Sequence, residues 1–139
     1  MLGLVFLAIA LVLALLRRRP ALFVLVFAAD GAADLLAEIL KRLTGRARPP
    51  VHRLGPAVGS SSFPSGHATT AFACATVLAA FAPRLQMPLF ALAVLIALSR
   101  LYNGDHYPLD VIAGSLLGAL VGLAVLRAFA GHHRRGARA

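Results

Sequence analysis

The sequence has few charged residues and very few acidic ones. Of its 139 residues, 14% are Asp, Glu, Lys or Arg, and only 5 are acidic. A soluble domain carries about 25% charged residues. With 60% hydrophobic residues and a mean hydropathy of +0.83, the chain lacks the polar surface that a soluble globule or a disordered chain needs. The scarcity of charge therefore predicts an integral membrane protein.

Cysteine is also scarce, and the length is short. The single cysteine, Cys74, excludes an internal disulfide framework and a cysteine-based zinc cluster. The 139 residues suffice for one domain, which we assign to residues 1–139. The net charge of +9 would indicate nucleic-acid binding on a soluble chain. Here the polar surface is too small for that, so no nucleic-acid partner is expected.

Five apolar segments predict an all-α bundle of about five transmembrane helices: approximately 1–16, 21–43, 66–82, 88–102 and 108–129. The first is shorter than the roughly 20 residues of an ordinary span, so a signal peptide is the alternative. Its charges follow the apolar run, and no Ala-x-Ala site comes before the next run. A retained span is therefore favoured.

Local signals mark the starts and contacts of the later spans. Ser65 suits an N-cap, and Pro88 and Pro108 suit the first helical position. Two stripes of small residues are predicted to be packing surfaces where helix backbones approach closely: Gly114, Gly118 and Gly122 on the last span, and Ala71, Ala75 and Ala79 on the third.

Three acidic residues interrupt the second span. Asp30, Asp34 and Glu38 are four residues apart, which places them on one face of a helix. Carboxylates at membrane depth are costly, so this face is predicted to meet the bundle interior or water. A structural role is favoured, with Glu38 paired to Lys41 or Arg42 and the aspartates bound to neighbouring helices. A direct role in chemistry is the alternative.

Polar residues cluster at the ends of spans two to five, beside a polar segment at 44–65. A loop of this length in a compact domain is usually functional or disordered, and we interpret it as part of a catalytic site. Because successive spans run in opposite directions, three groups of residues are expected to meet at one membrane face: Lys41 with Arg48 and Pro49; Pro64 to His67; and Ser99, Arg100, His106 and Asp110.

These residue types suit the binding of phosphate. Lys41, Arg48 and Arg100 are three cations at one face, and arginine forks match phosphate oxygens. Ser65 and Gly66 begin a helix, whose free N–H groups and dipole favour an anion. Gly66 has no side chain, so a phosphate can approach its backbone closely.

Two histidines and one carboxylate add the means of reaction. Asp110 follows His106 by four residues, so it can accept from one ring nitrogen and leave the other basic. This is the arrangement of an oriented nucleophile, with imidazole as the attacking group. His67 can donate a proton to the leaving oxygen.

The three groups, K-x6-RP, PSGH and SR-x5-H-x3-D, resemble the signature motifs of the type 2 phosphatidic acid phosphatase (PAP2) superfamily. The segment HYPLDVIAG, residues 106–114, contains the last two positions of the third motif and also resembles the usual continuation of that motif in the family. Every motif position is matched, by Lys41, Arg48, Pro49, Pro64, Ser65, Gly66, His67, Ser99, Arg100, His106 and Asp110. The resemblance covers about residues 34–118 and implies a PAP2/haloperoxidase-like helical core.

The resemblance also implies a mechanism without metal or other cofactor. His106 would attack phosphorus and form a phosphohistidine while Asp110 holds its imidazole, and His67 would act as general acid and then general base. The phosphoryl oxygens would be held by a larger set, with Ser99 ranked last: Lys41, Arg48, Ser65, Gly66, Arg100 and Ser99. Members that span membranes typically have six spans, and this chain has five predicted ones.

The function predicted is thus a membrane-embedded phosphatase that removes a terminal phosphate from a lipid phosphate or diphosphate. A polyprenyl diphosphate is favoured as substrate, then phosphatidylglycerophosphate or phosphatidate. A lipid phosphotransferase using the same phosphohistidine is the main alternative. Two others are a non-catalytic lipid-binding or transport protein and a vanadate-dependent haloperoxidase, although haloperoxidases are soluble and much larger. The sequence indicates no oligomeric state.

Basic residues predict the orientation. With the C-terminus in the cytoplasm, eight basic residues lie on the cytoplasmic side and six on the other. Several of those six belong to the predicted site, so the short loops and the tail decide the orientation. The chain is predicted to lie in the bacterial cytoplasmic membrane with its active site on the extracytoplasmic face.

Overall fold

The computed structural model describes residues 3–50 and 61–136, with side chains over 4–50 and 61–131. These residues form helices and no strand, which confirms the all-α prediction. A 3₁₀ turn at Pro83–Leu85 precedes the fourth of the helices, which are α1 (Gly3–Leu16), α2 (Pro20–Thr44), α3 (Gly66–Phe81), α4 (Gln86–Tyr102) and α5 (Pro108–Gly136). Residues 51–60 of the polar loop lie outside the described ranges.

Helix α3 is the centre of the bundle, because it packs against each of the other four helices. Its buried face is built from small residues: Ala71, Ala73, Cys74 and Ala75 are each at most 2% exposed. Small side chains allow neighbouring helices to come close from several directions. The start of α3, which carries Ser65 and His67, is thereby enclosed by the other helices.

The glycine stripe of α5 fits directly onto α3. A Cβ atom at Gly118 would lie 2.1 Å from the carbonyl oxygen of Thr69. At Gly114 it would lie 2.6 Å from that of Ser65, and at Gly122 2.8 Å from that of Ala73. These approaches confirm the predicted packing surface, and they place the second turn of α5 beside the start of α3.

One predicted helix start is wrong, and one helix extends beyond its predicted membrane span. Pro88 is the third residue of α4, not the first, because the turn at Pro83–Leu85 leads directly into the helix at Gln86. Helix α5 continues to Gly136, past the predicted end at 129, since a glycine such as Gly131 lowers helix stability by only about 1 kcal/mol. Pro108 does begin α5 as predicted.

Two helical segments of the described chain, Pro83–Tyr102 and Pro108–Gly131, are long and apolar enough to cross a membrane. Both direct large apolar side chains outward, among them Leu95, Leu98 and Leu116. The other apolar helices, Leu4–Leu16 and Gly66–Phe81, are shorter. The count of five spans therefore stays a prediction.

The acidic face of α2 has a structural role at Glu38. Its carboxylate lies 3.2 Å from Nε of Arg42 and 4.0 Å from Nζ of Lys41, which confirms the predicted pairing. Asp30 accepts a hydrogen bond from Sγ of Cys74 on α3 at 3.7 Å. Asp34 is exposed, so of the two aspartates Asp30 makes the expected contact with a neighbouring helix.

Candidate active site

The three predicted groups of residues meet at one end of the bundle. The end of α2, the start of α3, the end of α4 and the start of α5 all lie there, because successive helices run in opposite directions. The backbone N–H of Ser65 donates to the carbonyl oxygen of Asp110 at 3.0 Å, which joins the start of α3 to that of α5. Arg48 Nη1 reaches the carbonyl oxygen of Asp105 at 2.8 Å and joins the polar loop to the turn before α5.

His106 lies buried in the turn between α4 and α5. Its Nδ1 is 2.7 Å from the backbone carbonyl oxygen of Ser62 and 3.7 Å from Oδ2 of Asp110. The nearest acceptor for the ring N–H is therefore Ser62, whereas the sequence predicts Asp110 in that place. A carbonyl oxygen can only accept, so Nδ1 is protonated and Nε2 carries the lone pair.

The surroundings of His106 favour its neutral form. Burial lowers the pKa of His106 below its usual 6.5, and the positive charge of Arg48 lowers it further. The hydrogen bond to Ser62 and the carboxylates of Asp110 and Asp105 act in the opposite direction but do not cancel the decrease. At neutral pH the imidazole is thus uncharged, which is the state a nucleophile requires.

Asp110 is fully buried, and both of its oxygens have partners. Oδ1 lies 2.7 Å from Nη1 of Arg46. Oδ2 accepts from the backbone N–H of Tyr107 at 2.9 Å and faces His106. The guanidinium of Arg46 also lies over the Tyr107 ring, 4.5 Å from its centroid. Arg46 is outside the motif positions, so the sequence pattern did not single it out.

Asp105 holds two of the predicted phosphate-binding arginines. Its carbonyl oxygen accepts from Arg48, and its carboxylate lies 3.6 Å from Nη1 of Arg100. No motif includes Asp105, so the sequence pattern assigned this residue no role. Ser99 receives a hydrogen bond from Nε of Arg100 at 3.1 Å and donates to the Ile96 carbonyl at 2.7 Å. Ser99 thus orients the arginine.

The start of α3 offers groups suited to an anion. Ser65 occupies the N-cap position but makes no side-chain capping bond. Its Oγ is the one buried side-chain polar atom of the described residues that has no hydrogen-bond partner. Lys41 Nζ lies 3.2 Å from where a Cβ of Gly66 would be, so the ammonium sits over the first helical residue. These groups and the free N–H groups of the helix form a cradle with the chemistry suited to an anion such as phosphate.

His67 completes the set from the second residue of α3. It is half-buried and lies within electrostatic range of Arg100, His106 and Lys41. The structure therefore brings together the predicted residues of all three groups. It adds Ser62, Arg46 and Asp105, which no motif marks.

The segment that carries Ser62 is fixed by the residues before Arg48. The Ser62 N–H donates to the carbonyl oxygen of Arg46 at 2.8 Å, and its Oγ donates to that of Ala47 at 3.1 Å. These two bonds hold the Ser62 carbonyl oxygen against His106. The two ends of the polar loop thus pair with each other at the site.

A helical bundle with basic side chains and two histidines gathered at one end is typical of proteins that bind phosphate groups, and known proteins with similar sequences belong to that class. The chain matches the PAP2 superfamily over residues 20–134, and it belongs to that superfamily. It is also similar to the crystal structure of a transmembrane PAP2-type phosphatidylglycerolphosphate phosphatase from Bacillus subtilis. That likeness has a TM-score of 0.74 and 29% identity, and it covers 92% of this chain and 68% of the other.

Curated relatives carry phosphatase names. A lipid A 1-phosphatase of Rhizobium johnstonii is 42% identical over 107 residues, which are 70% of this chain and 44% of the relative. A decaprenylphosphoryl-5-phosphoribose phosphatase of Mycobacterium tuberculosis is 40% identical over 128 residues, covering 88% and 70%. An undecaprenyl-diphosphatase of Sulfolobus acidocaldarius is 39% identical over 95 residues, covering 64% and 46%. The chain spans less than half the length of the first curated relatives it matches.

Proposed function

We propose that this protein is an integral membrane phosphatase that removes the terminal phosphate of a lipid phosphate or diphosphate through a phosphohistidine, without a metal. The observation that carries the proposal is the state of His106. Its Nδ1 is bound to the Ser62 carbonyl at 2.7 Å, which leaves Nε2 with a lone pair. The three cations and the unpartnered Ser65 hydroxyl lie at the same end of the bundle.

In the first step, Nε2 of His106 attacks phosphorus, and the bond from phosphorus to the leaving oxygen breaks. His67 enters this step protonated, a state that the negative charge of the bound phosphate favours, and it gives its proton to that oxygen. Lys41, Arg48 and Arg100 bind the phosphoryl oxygens and stabilise the charge that develops on them. The imidazole becomes positive when the P–N bond forms, and the Asp110 carboxylate, 3.7 Å from Nδ1, stabilises that charge.

In the second step, water attacks the phosphohistidine. His67, now neutral, accepts a proton from the water as the new P–O bond forms and the P–N bond breaks. Phosphate leaves, and His106 returns to its starting state. The carboxylates beside the site are engaged by arginines, Asp110 by Arg46 and Asp105 by Arg100, so the negative charge of the phosphoryl oxygens is stabilised by the basic side chains.

The substrate class follows from the site together with the apolar helices around it. The phosphate cradle lies at the end of a bundle whose two long apolar helices expose leucines to their surroundings. A headgroup can therefore reach the cradle while its hydrocarbon chain stays in lipid. The names of the relatives share a phosphate on a lipid: lipid A, decaprenyl, undecaprenyl and phosphatidylglycerol.

A polyprenyl diphosphate is the favoured substrate, followed by phosphatidylglycerophosphate and phosphatidate. This order rests on the proposed orientation, with five spans, a cytoplasmic C-terminus and the site on the extracytoplasmic face, where a polyprenyl carrier is recycled. The basic residues of the short loops and of the tail support that orientation.

The test is phosphate release by the purified protein in detergent or vesicles. Undecaprenyl diphosphate, phosphatidylglycerophosphate and phosphatidate are offered separately, with and without EDTA. We expect release from at least one substrate, no effect of EDTA, and loss of activity in His106→Ala. The matched control is Arg42→Ala, since Arg42 is 78% exposed and pairs with Glu38.

Three results would contradict the proposal: no substrate turned over, His106→Ala fully active, or activity abolished by EDTA. Product analysis in the presence of glycerol or a lipid alcohol decides between hydrolysis and transfer. Phosphorylated acceptor in place of free phosphate would identify a phosphotransferase.

A further inference from the structure

We propose that Arg46 is a positioning residue of the site, which holds the Asp110 carboxylate against the turn that carries His106. The inference rests on the proposed phosphatase function. Its starting observation is a 2.7 Å ion pair between Nη1 of Arg46, in the loop after α2, and Oδ1 of Asp110, in the first turn of α5. No motif position includes Arg46, and its role is separate from phosphate binding.

The ion pair decides which way the carboxylate faces. Asp110 is fully buried, and a buried carboxylate is stable only when it is paired and hydrogen-bonded. Arg46 binds Oδ1, and the Tyr107 N–H binds Oδ2 at 2.9 Å. With both oxygens held, Oδ2 stays 3.7 Å from Nδ1 of His106. From there it can stabilise the positive imidazole that forms during attack.

Arg46 is also linked to the other partner of His106. Its carbonyl oxygen accepts from the Ser62 N–H at 2.8 Å, and the Ser62 carbonyl accepts from Nδ1 of His106. One residue therefore supports both acceptors that face the imidazole, the carboxylate through its side chain and the carbonyl through its backbone. A substitution at position 46 removes the contact with the carboxylate but keeps the backbone hydrogen bond to Ser62, so the two contributions can be measured separately.

The geometry calls for arginine in particular. The guanidinium lies over the Tyr107 ring at 4.5 Å while one of its nitrogens binds Asp110. A planar guanidinium can stack on a ring and donate at its edge at the same time, whereas an ammonium is a point charge. Lysine at position 46 keeps the charge but loses this combination, so we expect it to restore only part of the function.

The test separates positioning from substrate binding by kinetics. In Arg46→Ala we expect kcat to fall about 10–100-fold, the range seen when a supporting partner of a site residue is removed. KM should change by less than about twofold, because the Arg46 guanidinium is already engaged by the Asp110 carboxylate and the Tyr107 ring. The kcat of Arg46→Lys should lie between that of the wild type and that of Arg46→Ala. Guanidinium chloride, well below denaturing concentrations, should raise the kcat of Arg46→Ala. Side-chain exposure of 37% gives the added ion access.

A double-mutant cycle adds a readout that simple structural support would not move. If Arg46 acts through Asp110, then Arg46→Ala should cost little more in an Asp110→Asn background. Arg42→Ala is the matched control, since it removes an arginine that pairs with Glu38 and not with the site. Thermal unfolding of every variant identifies any that fail to fold. If Arg46→Ala does not fold, the kcat and KM of Arg46→Lys are compared with those of the wild type instead.

Several results would overturn the inference: unchanged kcat in Arg46→Ala, a rise in KM in place of a fall in kcat, or additive losses in the double variant. Failure of the proposed function gives a different result, because the wild-type protein then releases no phosphate from any substrate. If the wild type and Arg46→Ala are equally active, only the positioning role of Arg46 is overturned.

Discussion

His106 and Ser62 are joined by a hydrogen bond in which Nδ1 of the imidazole lies 2.7 Å from the backbone carbonyl oxygen. Because the acceptor is a main-chain carbonyl, it cannot ionise and its position does not depend on a rotamer. The tautomer of His106 is therefore set at every pH at which the ring is neutral. Asp110, at 3.7 Å, is left to respond to the charge that forms on the ring.

The first prediction concerns pH. Only neutral His106 attacks phosphorus, so activity is lost as pH falls through the pKa of His106. Burial and Arg48 lower that pKa below 6.5, and the acidic limb of the rate should accordingly lie below pH 6.5. The measurement is kcat/KM against pH, which reports ionisation of the free enzyme, with the ionisation of the substrate phosphate determined separately.

Arg48 provides the matched variants for this prediction. Arg48→Gln removes a positive charge that lowers the pKa of His106, so the acidic limb should move to higher pH. Arg48→Lys keeps the charge, and its limb should stay near that of the wild type. Both variants are expected to weaken phosphate binding. The quantity to compare is therefore the pH at which the acidic limb lies, and not the rate itself. A limb above pH 6.5 in the wild type would contradict the prediction.

The second prediction concerns Asp105, whose carboxylate lies 3.6 Å from Arg100. A negative charge there repels a phosphate that approaches the same arginine. Asp105→Asn removes the charge and keeps the backbone carbonyl that accepts from Arg48. We expect KM and the inhibition constant of inorganic phosphate to fall by about two- to fivefold, the size of a screened charge–charge effect.

Asp34→Asn is the control for that experiment, since Asp34 is an exposed aspartate on α2. Its KM should equal that of the wild type. A higher KM in Asp105→Asn would show that the carboxylate is needed to orient Arg100, and would contradict the prediction.

The sequence predicted the helices and the meeting of the three groups of residues at one end of the bundle well, for physical reasons that act locally. Apolar runs ended by prolines, glycines and charges mark helices α1 to α5, and most predicted ends lie within a few residues. Glycines four residues apart marked the surface of α5 that meets α3. Alternating helix direction then brings Lys41, His67 and His106 to one end without any knowledge of side-chain contacts.

What the sequence could not predict depends on contacts between distant segments. The acceptor for Nδ1 of His106 is a main-chain carbonyl 44 residues away, and a carbonyl has no sequence signal. The partner of Asp110 is Arg46, 64 residues away and two positions before a motif arginine. Three basic residues, Arg42, Arg46 and Arg48, lie close together in sequence, and only the fold shows which one faces Asp110.

The third prediction concerns Gly66, the first residue of α3. A methyl group there would lie 3.2 Å from Nζ of Lys41. The ammonium is the end of a flexible side chain, so it can move away at little cost in stability. Gly66→Ala should therefore raise KM while the melting temperature stays close to that of the wild type. An unchanged KM would show that Lys41 does not act at the start of α3.

The last prediction concerns the contact between α3 and α5 that brings the two halves of the site together. In Gly118→Ala the added methyl would lie 2.1 Å from the Thr69 carbonyl oxygen and 3.1 Å from the Ala73 backbone nitrogen. Both neighbours are backbone atoms, so the helices must separate, and overpacking of this kind costs about 1–3 kcal/mol. We expect a lower melting temperature and a lower kcat, because separation also strains the bond between Ser65 and Asp110.

Gly31→Ala is the matched control for Gly118→Ala. Gly31 also lies within a helix, but a Cβ there would meet no heavy atom within 4 Å beyond its chain neighbours and the backbone of its own helix. Alanine should therefore keep or raise the stability by up to about 1 kcal/mol through its helix propensity. Thermal unfolding in one detergent, with phosphate release from the same samples, compares the two variants. Equal melting temperatures for Gly118→Ala and Gly31→Ala would mean that the close approach of α3 and α5 does not hold the site together.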